Sequence, residues 1–145
     1  MMCALQKSSV DMLMYYDGQV DTTYGGMFNP IKLEPFKAYY AFMTFNELFK
    51  LQSEVSSGSD DAEVYVCAAA NPAGKAVLIV NTSATDKTIV LHIAGDETEE
   101  SMILDRMVLD ESHNLEYTGQ LDVQKTRVIT LLAYSITLLK TPTAR

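Results

Sequence analysis

The chain has 145 residues, 48% hydrophobic and 21% charged, with a formal net charge of −8 and a pI near 4.6; a polypeptide of this length buries about 70% of its unfolded surface, enough for a core without disulfides or metals. Its eleven Lys and Arg are scattered singly, so the overall field opposes a phosphate backbone and no nucleic-acid partner is expected. No window reaches the ~18 uninterrupted apolar residues of a membrane span, and Cys3 and Cys67 lie outside any CxxC or histidine cluster, which rules against a zinc site on ligand count.

Residues 1–6 are good helix formers broken by Lys7, Ser8 and Ser9, the pattern of the last turn or two of a helix, and they lack the apolar core and cleavage pattern of a signal peptide. Residues 10–16 (VDMLMYY) are mostly apolar without alternation, which predicts a strand buried on both faces, a buried helical segment being the competing reading. Gly18, Gly25, Gly26, Asn29 and Pro30 then mark 17–33 as a long irregular loop, a kind that tends to carry function.

Pro35 suits the first helical position, and a helix is predicted from there to about Gln52. Ala38, Ala41, Phe42, Phe45, Leu48 and Phe49 fall on one apolar stripe of it, and Phe36, Tyr40 and Met43 on a second. A surface helix needs one buried face, so the second stripe predicts a partner. Phe36, Tyr40 and Met43, or the strand 10–16, are expected to meet a second copy of the chain in a homodimer or swapped assembly, or another domain.

Residues 53–61 (SEVSSGSDD) are small and polar and read as a linker, after which short strands are predicted at 64–69, 76–81, 88–93, 102–109, 128–132 and 135–139, punctuated by turn clusters. Leu91 and Ile93 against Val90 and His92 show the in-and-out alternation of a half-buried strand. The expected fold class is mainly β: an antiparallel β-sandwich, immunoglobulin-like or Greek-key, at 63–141, preceded by a strand, loop and helix at 1–53 and a linker at 54–62.

DMLMYYDG, GGMFNP and PFKAYYAFMTFNEL together resemble the end of the catalytic barrel in clan A glycoside hydrolases, particularly family 39 β-xylosidase-like enzymes. Gly26, Met27 and Phe28 stand at that family's Gly-Leu-Phe-like triplet, and the final strand with Leu132, Tyr134 and Ile136 resembles the strand that closes its C-terminal β-sandwich. The resemblance implies that residues 1–53 are the last strand and helix of a (β/α)8 barrel and that the remainder is an accessory β domain. The catalytic glutamates of such enzymes lie on earlier strands that this chain lacks, and the Trp often found near the final barrel strand is missing too, since the sequence contains no Trp.

Asp11, Asp17 and Asp21 are the carboxylates near the resembling motifs, whereas glycoside hydrolysis needs two carboxylates about 5–9.5 Å apart on a rigid scaffold. Asp17, past the end of the predicted strand, could line a sugar subsite with Tyr16 and Asn29, in competition with a plain turn role before Gly18. His92 and His113 have no nucleophile context, and the acidic run Asp96, Glu97, Glu99 and Glu100 lacks EF-hand spacing. The expectation is thus a non-catalytic region without cofactor or metal, partnered by a catalytic barrel or by a second copy. A carbohydrate-binding sandwich is the alternative, weakened because the only aromatics after Asp61 are Tyr65, Tyr117 and Tyr134.

Overall fold

The computed structural model describes residues 2–6, 8–16, 26–94, 101–124 and 126–142. Helices α1 (Met2–Leu5) and α2 (Lys37–Phe49) precede strands β1 (Glu54–Val55), β2 (Val64–Asn71), β3 (Gly74–Asn81), β4 (Lys87–His92), β5 (Met102–Leu109), β6 (Asn114–Val123), β7 (Thr126–Leu131) and β8 (Ser135–Lys140). All strand pairs are antiparallel, in a six-stranded sheet of order β1-β2-β3-β8-β5-β6 and a two-stranded sheet β4-β7. The fold is a β-sandwich with a small helical N-terminal part. After β6 and β7 the chain returns to place β8 beside β5, a return connection of Greek-key type.

Turn chemistry sets the registers. The Asn71 side chain accepts from the backbone N–H of Ala73 (2.8 Å) and Gly74 (3.1 Å), closing the β2–β3 hairpin over Pro72 and Ala73. A Cβ at Gly74 would lie 2.6 Å from Thr141 Oγ1, so a larger residue would displace this hydroxyl, which accepts from Lys75 N–H (2.7 Å) just past β8. Asn81, fully buried, donates to the carbonyls of Thr85 (3.0 Å) and Leu132 (2.8 Å) and accepts from Ser83 N–H (3.0 Å), joining the β3–β4 loop to the end of β7.

The large sheet is buried on both sides. Val64, Ile79, Leu104 and Leu139 meet Leu91, Ile129 and Leu131 of the small sheet, forming the sandwich core. On the reverse face Cys67, Ala69, Ala76, Leu78 and Leu138 pack with Leu48 of α2, flanked by Tyr40, Phe45 and Leu51. The order is helix, six-stranded sheet, two-stranded sheet.

Several expectations change. Residues 10–16 join no strand ladder, and Met12, Met14 and Tyr16 are exposed. A strand needs neighbours for its N–H and C=O groups, and among the described residues none lies alongside. Glu54 and Val55, in the stretch read as a linker, pair with Ala69 and Ala68 of β2. The ten-residue β6 was not anticipated: bulges opposite Arg106/Met107 and Val108/Leu109 break its alternation, with Gly119 at φ 134° and Leu115 at φ 61°. On α2 the packed face runs through Tyr40, Thr44 and Leu48, between the two expected stripes, and Phe49 is exposed.

Leu138 and Leu139 are neighbours on β8, both fully buried, facing opposite layers. Leu138→Ala and Leu139→Ala are each expected to cost about 2–5 kcal/mol in urea unfolding. A Leu138 variant within ~1 kcal/mol of wild type would show that α2 does not cover this face.

Candidate docking face

The N-terminal third presents most of the exposed apolar side chains that lie outside the strands. The loop leading into α2 is closed by its backbone: Phe28 and Pro35 form an isolated bridge, Phe36 N–H donates to the Met27 carbonyl (2.8 Å), and Leu33 N–H donates to Asn29 O (2.8 Å). Asn29 Oδ1 accepts from the N–H groups of Ile31 and Lys32, each at 2.9 Å, so this side chain builds the turn. That turn holds Ile31 and Leu33 out in solvent, with Leu33 at φ 59°.

Aromatic rings line both flanks of α2. Phe28 packs against Tyr39 with centroids 5.2 Å apart, and Tyr39 meets Tyr40 edge-on at 5.6 Å. On the other flank Tyr15 meets Phe42 edge-on at 5.5 Å. Segment 10–16 thereby lies along the helix, closing an apolar cavity of about 220 Å³ with Cys3, Leu13, Phe42, Leu78 and Ile136 among its walls.

Electrostatics clamp α2 to the sandwich at both ends. Lys37 Nζ donates to His113 O (3.0 Å) and Asn114 Oδ1 (2.6 Å) at the β5–β6 turn. That turn is shaped by Asp110, whose Oδ1 accepts from the N–H groups of Ser112 and His113 at 2.7 Å and lies 2.9 Å from His113 Nδ1. Burial acts to raise the Asp110 carboxyl, and these hydrogen bonds outweigh it, leaving it below the ordinary carboxylate value. Near the C-terminal end of α2, Glu47 accepts from Lys140 Nζ of β8 (2.8 Å) and from Lys50. Burial again acts to raise Glu47, and the two ammonium partners bring it below its usual value.

Of the residues expected at a sugar subsite, Tyr16 and Asn29 are described and Asp17 is not. Tyr16 is 79% exposed, Asn29 is committed to its own turn, and Asp17 and Asp21 lie outside the described residues, as does the acidic run at 96–100. Of the expected partner contacts, Phe36 and Met43 are 39% and 41% exposed, while Tyr40 is half-buried against the helix-facing core. Among the described residues no group of three or more His, Cys, Asp or Glu is placed to hold a metal, and no helix is long and apolar enough to cross a membrane. Asp110 and Lys37 take structural roles beyond those expected from the sequence; the Asp-x-x-His spacing at 110–113 is a turn signal for the first, and nothing local marks the second.

No protein-family model and no curated protein sequence matches the chain. Its fold is similar to that of solved glycoside hydrolases: a family 30 endoxylanase from Clostridium papyrosolvens C71 (TM-score 0.67, 17% identity) and a family 30 subfamily 8 xylanase from Clostridium acetobutylicum (TM-score 0.69, 15% identity). These similarities cover 80% and 83% of this chain, so they extend beyond the strands into the N-terminal third, but only 30% and 32% of those proteins. A family 44 endoglucanase from Clostridium thermocellum is similar over 60% of this chain and 18% of its own length, with a TM-score of 0.51 and 12% identity. The chain thus spans about a third or less of the structures it resembles, and at these identities the likeness is one of fold.

Because the Glu47 carboxyl is lowered on folding, it stabilises the native state fully above the unfolded value of about 4.3, and this contribution is lost as pH falls through the lower native value. The urea midpoint of Glu47→Gln is expected below wild type at pH 6, with the gap closing as the pH falls below the ordinary carboxylate range and the native carboxyl protonates. A gap unchanged by acid would assign the effect to packing.

Proposed function

We propose that this chain is a non-catalytic C-terminal region of a glycoside hydrolase, a β-sandwich that braces a catalytic barrel through α2 and the segment before it. The observation that carries the reading is segment 10–16: a run with the apolar composition of an interior strand, laid on α2 by Tyr15 yet leaving Met12, Met14 and Tyr16 in solvent. Such a run is expected to pair with strands supplied by another part of a larger protein. The fold similarity to xylanases, over a stretch that includes residues before the sandwich, supports the same reading.

The neighbours named above belong to families 30 and 44 and support a relationship to glycoside hydrolases in general; the finer family 39 assignment rests on the GGMFNP and KAYYAF motifs alone. In this reading Tyr16, Asp17 and Asn29 sit at the barrel end of the chain, and Asp17 is the residue nearest to a sugar subsite. The sandwich contributes rigidity: its helix-facing layer fixes α2, and α2 fixes the barrel's last unit.

Without the barrel, the exposed faces are expected to find a second copy. Phe36 and Met43 are accessible and not members of the core clusters, so their double replacement by Ser should leave the fold intact. It should raise the dissociation constant of the self-associated state about 10-fold or more in sedimentation equilibrium. A wild-type chain that stays monomeric over a broad concentration range would overturn the self-association.

Hydrolysis of aryl β-xylosides and β-glucosides by this chain is expected to be indistinguishable from buffer, because a single barrel unit cannot set two carboxylates across a glycosidic bond. Measurable turnover would sink the accessory reading. Binding on a glycan array that free sugar competes away would favour the carbohydrate-binding alternative instead, with the exposed Tyr117 and Tyr134 as the first side chains to replace.

A further inference from the structure

We propose that this chain associates with copies of itself head to tail, segment 10–16 of one copy adding as a third strand to the free edge of β4 in the next. The contact gives a geometry to the self-association expected above. It uses surfaces of this chain alone, so it is independent of the glycoside hydrolase reading.

Among the described residues the two sheets leave four strand edges open, and three of them are blunted. β1 is two residues long, β6 is broken by two bulges, and at β7 the Thr130 carbonyl accepts from Arg106 Nη2 of β5 (2.8 Å). β4 has none of these devices: it runs from Lys87 to His92 in unbroken register with β7 and without Pro. Because Thr130 O turns toward β5, the Thr88–Thr130 pair is a wide one. The alternation of an antiparallel ladder then makes Thr88, Val90 and His92 the residues whose N–H and C=O groups face the open edge. All three are exposed.

Lys87 Nζ reaches Asp61 (2.7 Å) and Glu63 (2.9 Å) just ahead of β2, while β7 is held to β5, so the free edge of β4 looks out over β2 and β1. The floor there is incompletely covered. Along β2 the residues facing the small sheet shrink from Val64 and Val66 to Ala68 and Ala70, and Val55 of β1 is exposed. A cavity of about 610 Å³ opens at this end, with Val55, Ala68, Ala70, Val77 and His92 among its walls. One more strand beside β4 would roof it.

Segment 10–16 fits that place. It has seven residues against six in β4, is mostly apolar and joins no ladder of its own. Tyr15 meets Phe42 and Leu13 lines the smaller cavity beside α2, so one face rests on its own helix. Met12, Met14 and Tyr16 alternate with these and are exposed, free to enter the space above Ala68 and Ala70. The only charge of the segment is Asp11 and β4 carries no acidic residue, so no like charges meet. The helix that carries the segment then reaches the outer face of the small sheet, where Val90 and Val128 form an exposed cross-strand pair.

α2 and segment 10–16 lie on the reverse face of the large sheet and β4 on the opposite one. One copy therefore offers its segment to one neighbour and accepts from another, a heterologous contact that extends beyond a dimer.

The experiment disables each half separately in the full chain. Val90→Pro removes an outward N–H that the β4–β7 ladder does not use, and Met12→Lys with Met14→Lys alters exposed positions only; both chains are checked for native circular dichroism. In sedimentation equilibrium the wild type should pass beyond a dimer as concentration rises, and each variant alone should associate at least about 10-fold more weakly. An equimolar mixture of the two should form a one-to-one dimer that grows no further, since one variant keeps the segment and the other the edge. Amide exchange at Thr88, Val90 and His92 of the wild type should slow with concentration, a readout that stands even if Val90→Pro unfolds. A monomeric wild type, growth that stops at a symmetric dimer, variants that associate like the wild type, a mixture no stronger than its parts, or edge amides indifferent to concentration would each overturn the proposal.

Discussion

The constraint on which the rest depends is that the central strands of the large sheet are covered on both faces. In β8, Leu138 meets the α2 layer and Leu139 the β4–β7 layer, and both are fully excluded from solvent. At about 25 cal/mol per Å² of apolar surface, exposing either face would remove stabilisation comparable to the net stability of a small domain. Neither cover is therefore dispensable: the small sheet has to close the sandwich, and α2 has to lie on the reverse side although it precedes every strand in sequence.

That requirement explains polar features that would otherwise be isolated. Lys140 ends β8 on the helix side and reaches Glu47, and Lys37 reaches the β5–β6 turn, so α2 is tied at both ends to strands remote from it in the chain. Thr44 occupies the centre of the packed face, with its hydroxyl donating to Ala41 O at 2.7 Å. A small residue there lets the helix sit close to the sheet, while larger side chains at Tyr40, Phe45 and Leu48 fill the margins.

The strands were legible because half-buried and doubly buried strands leave different marks. The alternation at 89–93 gave β4, and the continuous apolar runs AVLIV and ITLL gave β3 and β8. The β6 strand left no such mark: two bulges each add a residue, so Leu115 faces the helix layer while Leu121 and Val123 face the sandwich core, and no single period connects them. Residues 10–16 failed in the opposite sense. Their composition is that of an interior strand, but a strand exists only where another backbone takes up its hydrogen bonds. As for the site, the loop residue Asn29 was visible from its turn-forming neighbours, whereas its commitment to the Ile31 and Lys32 N–H groups was not.

By itself the sequence determined the class of fold, the positions of most strands, the long helix with more apolar surface than one face uses, and a net negative charge. These follow from local periodicity, turn residues and charge, which act over a few residues or over the whole molecule. Only the tertiary structure decided which side of α2 is buried, that α1 lies against β2, and that the large sheet needs two covers. Each of these depends on contacts between segments far apart in the chain, set by packing complementarity rather than by the preference of any one segment.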